Sequence, residues 1–114
     1  MTRGEIWLAQ LEPRFGAEPG KLRPVAVVQS QMLIDSGYKT TLIVPLTTQL
    51  IAGAEPLRVR IKPKAKLKME SDALVGQLRA IDNRRLVRGP LAILEDSTLR
   101  RLDDAIRQVL DVDE

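Results

Sequence analysis

The sequence contains no cysteine and no histidine. Without cysteine the chain can form no disulfide, thiolate nucleophile or Cys-ligated metal site, a composition that is compatible with a reducing cytosol. Without histidine it has no imidazole ligand and no imidazole proton shuttle, so a metal ion would have to be held by carboxylates alone. Nucleophile pairs of the Ser-His and Cys-His kinds are excluded as well. We therefore expect no metal site and no cofactor, and chemistry based on carboxylate, hydroxyl and guanidinium groups.

Aromatic residues and long apolar runs are also scarce. The 114 residues include one Trp, one Tyr and one Phe, and no long apolar run follows the N-terminus. No signal peptide or membrane span is therefore expected, and the simplest location is the cytoplasm. A chain of this length is expected to form one domain, residues 1–114, with a modest core. An apolar content of 44% with so few aromatics predicts a homodimer that covers part of the remaining apolar surface.

Short stretches that alternate or are rich in β-branched residues predict a mostly β fold. The predicted strands cover residues 5–11, 25–28, 40–47, 73–81 and, with an interruption at Gly89-Pro90, 85–94. One helical turn is predicted at residues 31–34. After an N-cap at Asp96 or Ser97, apolar residues at helical spacing predict a C-terminal amphipathic helix: Leu99, Leu102, Ile106, Val109 and Leu110. Short successive strands favour a small antiparallel barrel on which this helix lies.

The positive charge is concentrated in one segment of a chain with a net charge of +3. Its six cations alternate with other residues: Arg58, Arg60, Lys62, Lys64, Lys66 and Lys68. A fully extended backbone would place all of them on one face. Such a row is suited to contact phosphates, and it is equally typical of an edge strand that its charges protect from aggregation. Pro63 within the run favours the edge-strand interpretation, and both remain open here.

Residues 16–28 join a polar loop to an apolar strand. Glycine and proline residues in its first half favour turns, so Glu18 and Lys21 are expected where the chain turns before it enters the sheet. Pro24 has no N–H to donate and is best tolerated as a first strand residue, which places Arg23 at the rim. A position at the rim of the sheet suits a cation that binds a ligand.

Several ordered motifs now point to a family. They are Arg3-Gly4-Glu5-Ile6-Trp7, Glu18-Pro19-Gly20-Lys21-Leu22-Arg23-Pro24-Val25, Pro45-Leu46-Thr47-Thr48-Gln49 and residues 72–82. Over nearly the whole chain they resemble the MazF/PemK family of toxin endoribonucleases. The resemblance implies an SH3-like barrel of the CcdB/MazF-like toxin fold, a homodimer, and the toxin of a toxin-antitoxin system. It also implies an mRNA interferase that cuts single-stranded RNA, and a cognate antitoxin whose acidic disordered tail covers a basic groove.

The resemblance assigns the catalytic roles to Arg23, Thr47 and Glu18. RNA supplies its own nucleophile, the 2′-hydroxyl, so the enzyme must orient it, stabilise charge on the phosphorane and move protons. Arg23 would hold the phosphate through a bidentate fork, while Thr47 donates its hydroxyl hydrogen to a nonbridging oxygen. Glu18 would accept the 2′-hydroxyl proton or only orient Arg23. Ala17 stands where family members often carry serine, which puts a contribution from that hydroxyl in doubt.

The expected RNA contacts surround these three residues. They are Phe15, Lys21, Thr48, Gln49, Arg58, Arg60, Lys62, Lys64, Gln77 and Arg79. Loops 12–20 and 49–56 are expected to read the bases, and Phe15 either stacks on an unpaired base or packs locally. Trp7 is expected in the core rather than in the site.

Two other functions fit the same fold. One is a non-catalytic toxin that poisons DNA gyrase, and the other is an inactive RNA-binding module. The gyrase-binding relative relies on a C-terminal tail with a Trp, whereas this chain ends Val109-Leu110-Asp111-Val112-Asp113-Glu114. The chain also retains the arginine and threonine of the nucleases, at Arg23 and Thr47. These residues favour the enzyme.

Overall fold

The computed structural model describes residues 1–11 and 22–112. Its strands are β1 (Glu5–Gln10), β2 (Leu22–Val27), β3 (Thr40–Thr47), β4 (Arg58–Ile61), β5 (Ser71–Leu74), β6 (Arg79–Asp82) and β7 (Leu86–Ile93). Its α-helices are α1 (Gln31–Asp35) and α2 (Asp96–Leu110), and short 3₁₀ helices cover Val75–Gln77 and Asn83–Arg85. This part of the chain contains no helix long and apolar enough to span a membrane. The predicted mostly β fold with a C-terminal helix is confirmed.

All strand pairs are antiparallel and belong to one seven-stranded sheet. The strand order is β4-β5-β3-β2-β1-β7, and β6 pairs with the other half of β3. Among the described residues the sheet is barrel-like and does not close through a β4-β7 ladder. The Lys66 amide, after β4, donates a hydrogen bond of 2.8 Å to the Leu91 carbonyl of β7 and so links the two ends of the sheet. Strand β3 is therefore the central element, because it pairs along one edge with β2 and along the other with β5 and β6.

The main core lies between the inner face of the sheet and helix α2. Its buried members come from six strands and the helix and include Ile6, Ala26, Val44, Val59, Ala73, Ala92 and Leu102. Leu102 and Ala105 are the buried residues of α2, with Leu99 and Ile106 partly buried beside them. Burying one such leucine side chain contributes about 1.5–3 kcal/mol, so this stripe fixes the helix on the sheet. The predicted helix is confirmed, with Glu95 rather than Asp96 or Ser97 at the N-cap.

A smaller core cluster forms around Trp7. The half-buried indole packs against Ala9, Leu11, Val25, Ile43 and Ile81. Its Nε1 donates a hydrogen bond of 2.9 Å to Glu5. A Cβ atom on Gly89 would lie 2.3 Å from the indole, so only glycine lets β7 cross the ring at this distance. Trp7 therefore packs against a core cluster, as expected.

Two strand predictions were wrong in detail. The strand predicted at residues 73–81 is two strands, β5 and β6, separated by the 3₁₀ helix at Val75–Gln77. The split occurs because β5 pairs with the end of β3 while β6 pairs with its beginning. The strand predicted with an interruption at Gly89-Pro90 is continuous from Leu86 to Ile93. A proline is tolerated there because β7 is an edge strand, and its ladder with β1 contains register shifts.

Candidate active site

Arg23 and Thr47 come together because β2 and β3 are antiparallel neighbours. The ladder between β2 and β3 pairs Val27 with Ile43 and Val25 with Pro45, and Arg23 and Thr47 each lie two residues further along their strands. Residues that oppose each other in antiparallel strands present their side chains on the same face. The two predicted catalytic residues therefore follow directly on this ladder, and both line the same cavities.

Both side chains border two adjoining cavities. The larger, of about 450 Å³, is lined by Leu11, Arg23, Pro45, Thr47, Gln49, Arg58, Leu74, Gln77 and Arg79. The second, of about 390 Å³, is lined by Leu22, Arg23, Pro24, Leu46, Thr47, Thr48, Gln49 and Ser71. Arg23, Thr47 and Gln49 thus form the wall that the two cavities share. The structure brings together seven of the predicted site residues here.

The larger cavity is suited to a polyanion. Arg23, Arg58 and Arg79 contribute three guanidinium groups, and the described lining includes no carboxylate. Guanidinium groups match phosphate oxygens with two parallel hydrogen bonds. The Thr47 hydroxyl accepts a bond of 3.2 Å from the Gln49 amide, and a hydroxyl that accepts one bond keeps its proton to donate another. The arrangement can therefore bind a phosphate with a planar fork and a hydroxyl donor.

A buried carboxylate, Asp72, pairs with Arg58 of this cavity and lines a further cavity of about 330 Å³ together with Arg58 and Arg60. It accepts hydrogen bonds from Arg60 Nε (2.6 Å), the Ile51 amide (2.9 Å) and Arg58 Nη1 (3.2 Å). Burial acts to raise the pKa of Asp72, but the bonds from Arg60, Ile51 and Arg58 and the charge of Arg60 outweigh it. The pKa of Asp72 consequently lies below its ordinary value, and the carboxylate is ionised at neutral pH. The same pairing raises the pKa of Arg60.

Residues 2–110 match the family described as PemK-like, MazF-like toxin of type II toxin-antitoxin system. The chain belongs to this family. A curated relative, Endoribonuclease MazF of Staphylococcus saprophyticus, is 38% identical over 110 residues, which cover 93% of this chain and 88% of the relative.

Solved structures of MazF proteins share the fold. The Mycobacterium tuberculosis toxin MazF-mt6 has a TM-score of 0.78 at 22% identity, covering 96% of this toxin and 99% of that chain. A MazE-MazF crystal structure from Deinococcus radiodurans has a TM-score of 0.79 at 19% identity, covering 99% and 97% of the two chains. The resemblance stated from the sequence motifs is therefore confirmed.

The six cations of the basic segment do not form a single row in the toxin, because the segment is not extended throughout. The backbone is extended only from Arg58 to Ile61, and it then turns through a bridge between Lys64 and Leu67 with Ala65 at a φ of 51°. Pro63 contributes no N–H with which to continue the ladder. The segment therefore divides into a strand that contributes Arg58 to the site and a turn that carries the lysines.

Arg60, Lys62 and Lys64, all predicted to contact RNA, are absent from the described lining of the two site cavities. They line another cavity of about 360 Å³, which also includes Arg101 of α2. Arg60 points to Asp72, and Lys64 Nζ lies 4.0 Å from Glu95 Oε1. This second basic region is separate from the cavity of Arg23.

Three predicted site residues, Phe15, Glu18 and Lys21, lie outside the described residues. Asp72 was not predicted as a site residue, although it begins one of the family-like motifs. Arg58 and Arg60 lie two residues apart on one face of a short strand, but only the register between β4 and β5 shows that Asp72 is the acid beside them.

Proposed function

We propose that this toxin is a metal-independent, sequence-specific endoribonuclease that cleaves single-stranded RNA. The proposal is supported by the Staphylococcus saprophyticus relative, whose name is Endoribonuclease MazF. The observation that carries it is the cavity in which Arg23 and Thr47 meet beside Arg58 and Arg79. The substrates would be mRNA, tRNA or rRNA in the cytoplasm, where these molecules occur.

The substrate supplies the nucleophile in the proposed reaction. The 2′-hydroxyl oxygen bonds to the adjacent phosphorus, and the bond from phosphorus to the 5′-oxygen of the next nucleotide breaks. The products are a 2′,3′-cyclic phosphate and a 5′-hydroxyl. Negative charge grows on the nonbridging oxygens during the attack, so fixed donors aimed at those oxygens lower the barrier. Arg23 supplies two such donors in a planar fork, and Thr47 supplies one through its hydroxyl.

Two protons must also move. The attacking 2′-hydroxyl loses one, and the departing 5′-oxygen gains one. We propose Glu18 as the acceptor of the first proton or as the group that orients Arg23. A guanidinium rarely deprotonates in a protein, so Arg23 acts as an electrostatic stabiliser rather than as the base.

The remaining cavity residues are proposed to bind the rest of the RNA. Arg58 and Arg79 are placed to hold flanking phosphates, since both guanidinium groups border the cavity of Arg23. Gln49 and Gln77 offer amide donors and acceptors that can pair with base edges of an unstacked strand. Thr48 lies at the second cavity, beside the same wall.

We also propose a cognate antitoxin as partner. The related Deinococcus radiodurans structure is a MazE-MazF complex. An acidic disordered segment of an antitoxin would be attracted by the three arginines of the larger cavity and would order on binding. Its carboxylates would occupy the positions of RNA phosphates, so antitoxin binding and RNA cleavage would exclude each other.

Digestion of a long single-stranded RNA in EDTA tests the proposed function. We expect cleavage at a recurring short sequence, with 2′,3′-cyclic phosphate and 5′-hydroxyl ends. A DNA strand of the same sequence is the control, because it lacks the 2′-hydroxyl and must remain intact. Intact RNA, cleavage that depends on added divalent metal, or cleavage of the DNA would contradict the proposal.

A further inference from the structure

Asp72 lies next to the proposed catalytic hydroxyl in the sheet. Its partner on β3 is Thr47 and its partner on β4 is Arg60. Opposed residues of antiparallel strands share a face, so all three side chains lie on one face of the sheet. Only 1% of Asp72 is exposed, which keeps the carboxylate out of contact with an incoming RNA. Any influence on the reaction must therefore pass through its partners.

Those partners hold the loop between β3 and β4, residues 48–57. The Ile51 amide donates to Asp72 Oδ2 over 2.9 Å. Arg58 Nη1 donates to the Gln49 carbonyl over 2.8 Å, and Arg60 Nη2 donates to the Ile51 carbonyl over 3.4 Å. The backbone on both sides of residue 50 is thus fixed by one carboxylate and the two arginines that it orders.

Arg58 links this cluster to the cavity. Its Nη1 makes both the bond to Gln49 and a bond of 3.2 Å to Asp72 Oδ2. The Nε and Nη2 donors of the same planar group are not used by these bonds, and the side chain borders the cavity of Arg23 and Thr47. Asp72 therefore determines where the free edge of this guanidinium points.

We propose that Asp72 is a positioning residue for RNA cleavage, which holds the Arg58 guanidinium and the backbone at Gln49 and Ile51 in the arrangement that binds the substrate. This inference rests on the proposed function, because it gives Asp72 a task in that reaction. A role in stability alone would be a weak reason for such a cluster. Buried ion pairs are often no more stabilising than apolar residues of similar volume.

Four variants test the proposal in single-turnover cleavage. Asp72→Asn keeps the shape of the side chain and removes its charge, and Arg58→Ala removes the group through which it acts. The double variant combines them. Asp103→Asn is the matched control, because Asp103 also pairs with an arginine, Arg3, but lies on α2. Melting temperatures are measured for all four.

We expect Asp72→Asn to slow cleavage by about 10- to 100-fold, the scale of a misplaced binding group. The loss in the double variant should be smaller than the two single losses multiplied together, because Asp72 acts in part through Arg58. The control should cleave at the wild-type rate even where its melting temperature falls. Additive losses in the double variant, or a folded Asp72→Asn protein that cleaves at the wild-type rate, would overturn the inference.

Hydrogen exchange gives a readout that does not depend on activity. Asp72→Asn should speed exchange at the Ile51 amide and leave the α2 amides unchanged. If wild-type protein cleaves no RNA, the proposed function fails, and this measurement alone decides whether Asp72 orders the loop. If Asp72→Asn does not fold, Arg58→Ala replaces it. Unchanged loop exchange together with unchanged cleavage in Arg58→Ala would overturn the proposal.

Discussion

Arg23 and Thr47 lie on strands β2 and β3, two residues beyond the last pair of the ladder that joins these strands, rather than on a loop. Donors that a sheet holds in place need little rearrangement when charge develops on a phosphorane. Because they are preorganised in this way, they lower the activation barrier of cleavage most. Thr47 also has a strand neighbour on its other side, Asp72. The backbone that carries the proposed catalytic hydroxyl is thus held by its pairing with β5.

Replacing Thr47 by valine tests the hydroxyl donor. Thr47→Val keeps the branched shape and deletes the hydroxyl, so the fold and RNA affinity should change little. Loss of one preorganised donor typically costs about 100- to 1000-fold in rate, and we expect a loss near the lower end. Single-turnover cleavage measures it. Thr40→Val, at the exposed beginning of the same strand, is the control. A Thr47→Val rate equal to that of the control would remove Thr47 from the mechanism.

At the residue scale, the sequence motifs predicted the contents of the cavity better than the contacts beside it. Arg23, Thr47, Gln49 and Arg58 were predicted and do meet. The role of Asp72 was missed because its partners lie 12 to 21 residues away in the chain. Such partners become visible only when strand pairing is known.

At the scale of elements, periodicity and β-branched content predicted strands β1, β2, β3 and β7 and the helix that covers the core. The spacing of Leu99, Leu102 and Ile106 predicted α2, and these residues do pack on the sheet. Alternation alone could not show that residues 73–81 bend between two halves of β3, or that the basic segment turns after Ile61. Both changes of direction depend on how strands pair across the sheet, and the local pattern of apolar and polar residues carries no information on that pairing.

The turn after β4 that carries the lysines is expected to affect RNA binding but not the catalytic step. Changing Lys62, Lys64 and Lys66 to glutamine should weaken binding of long RNA and leave the cleavage rate at saturating enzyme unchanged, because the described site cavities do not include these lysines. Each phosphate contact that is lost should reduce the slope of log affinity against log salt by about 0.7. RNA binding measured from low to high salt checks this. An unchanged slope would show that the turn is a solvated edge.

On the scale of the whole molecule, apolar side chains remain exposed at several places. They include Leu22 on β2, Val87 and Ile93 on the edge strand β7, and Leu110 and Val112 at the end of α2. A single chain of this size cannot cover all of its apolar surface, and exposed apolar groups that cluster mark interfaces. We propose that a second copy covers part of this surface, with α2 and residues 73–81 as candidate interface elements.

Sedimentation equilibrium tests this association. We expect the mass of a dimer at micromolar concentration. Leu110→Glu should shift the equilibrium towards monomer if α2 contributes to the interface, because a charge would be buried there. Met32→Glu, at an exposed position on α1, should have no effect. A wild-type monomer at micromolar concentration would contradict the proposed dimer.

The central claim is that the planar guanidinium of Arg23 binds the phosphorane through two parallel hydrogen bonds, and Arg23→Lys tests it most directly. Lysine keeps the positive charge, so RNA affinity and the fold should be largely retained, whereas the two-point contact made in the transition state is lost. Single-turnover cleavage and RNA affinity are measured side by side, with Arg100→Lys on the exposed face of α2 as the control. We expect a loss of about 100- to 1000-fold in the cleavage rate of Arg23→Lys and none in the control. Cleavage by Arg23→Lys at close to the wild-type rate would show that Arg23 is only a binding cation, and the proposed active site would be wrong.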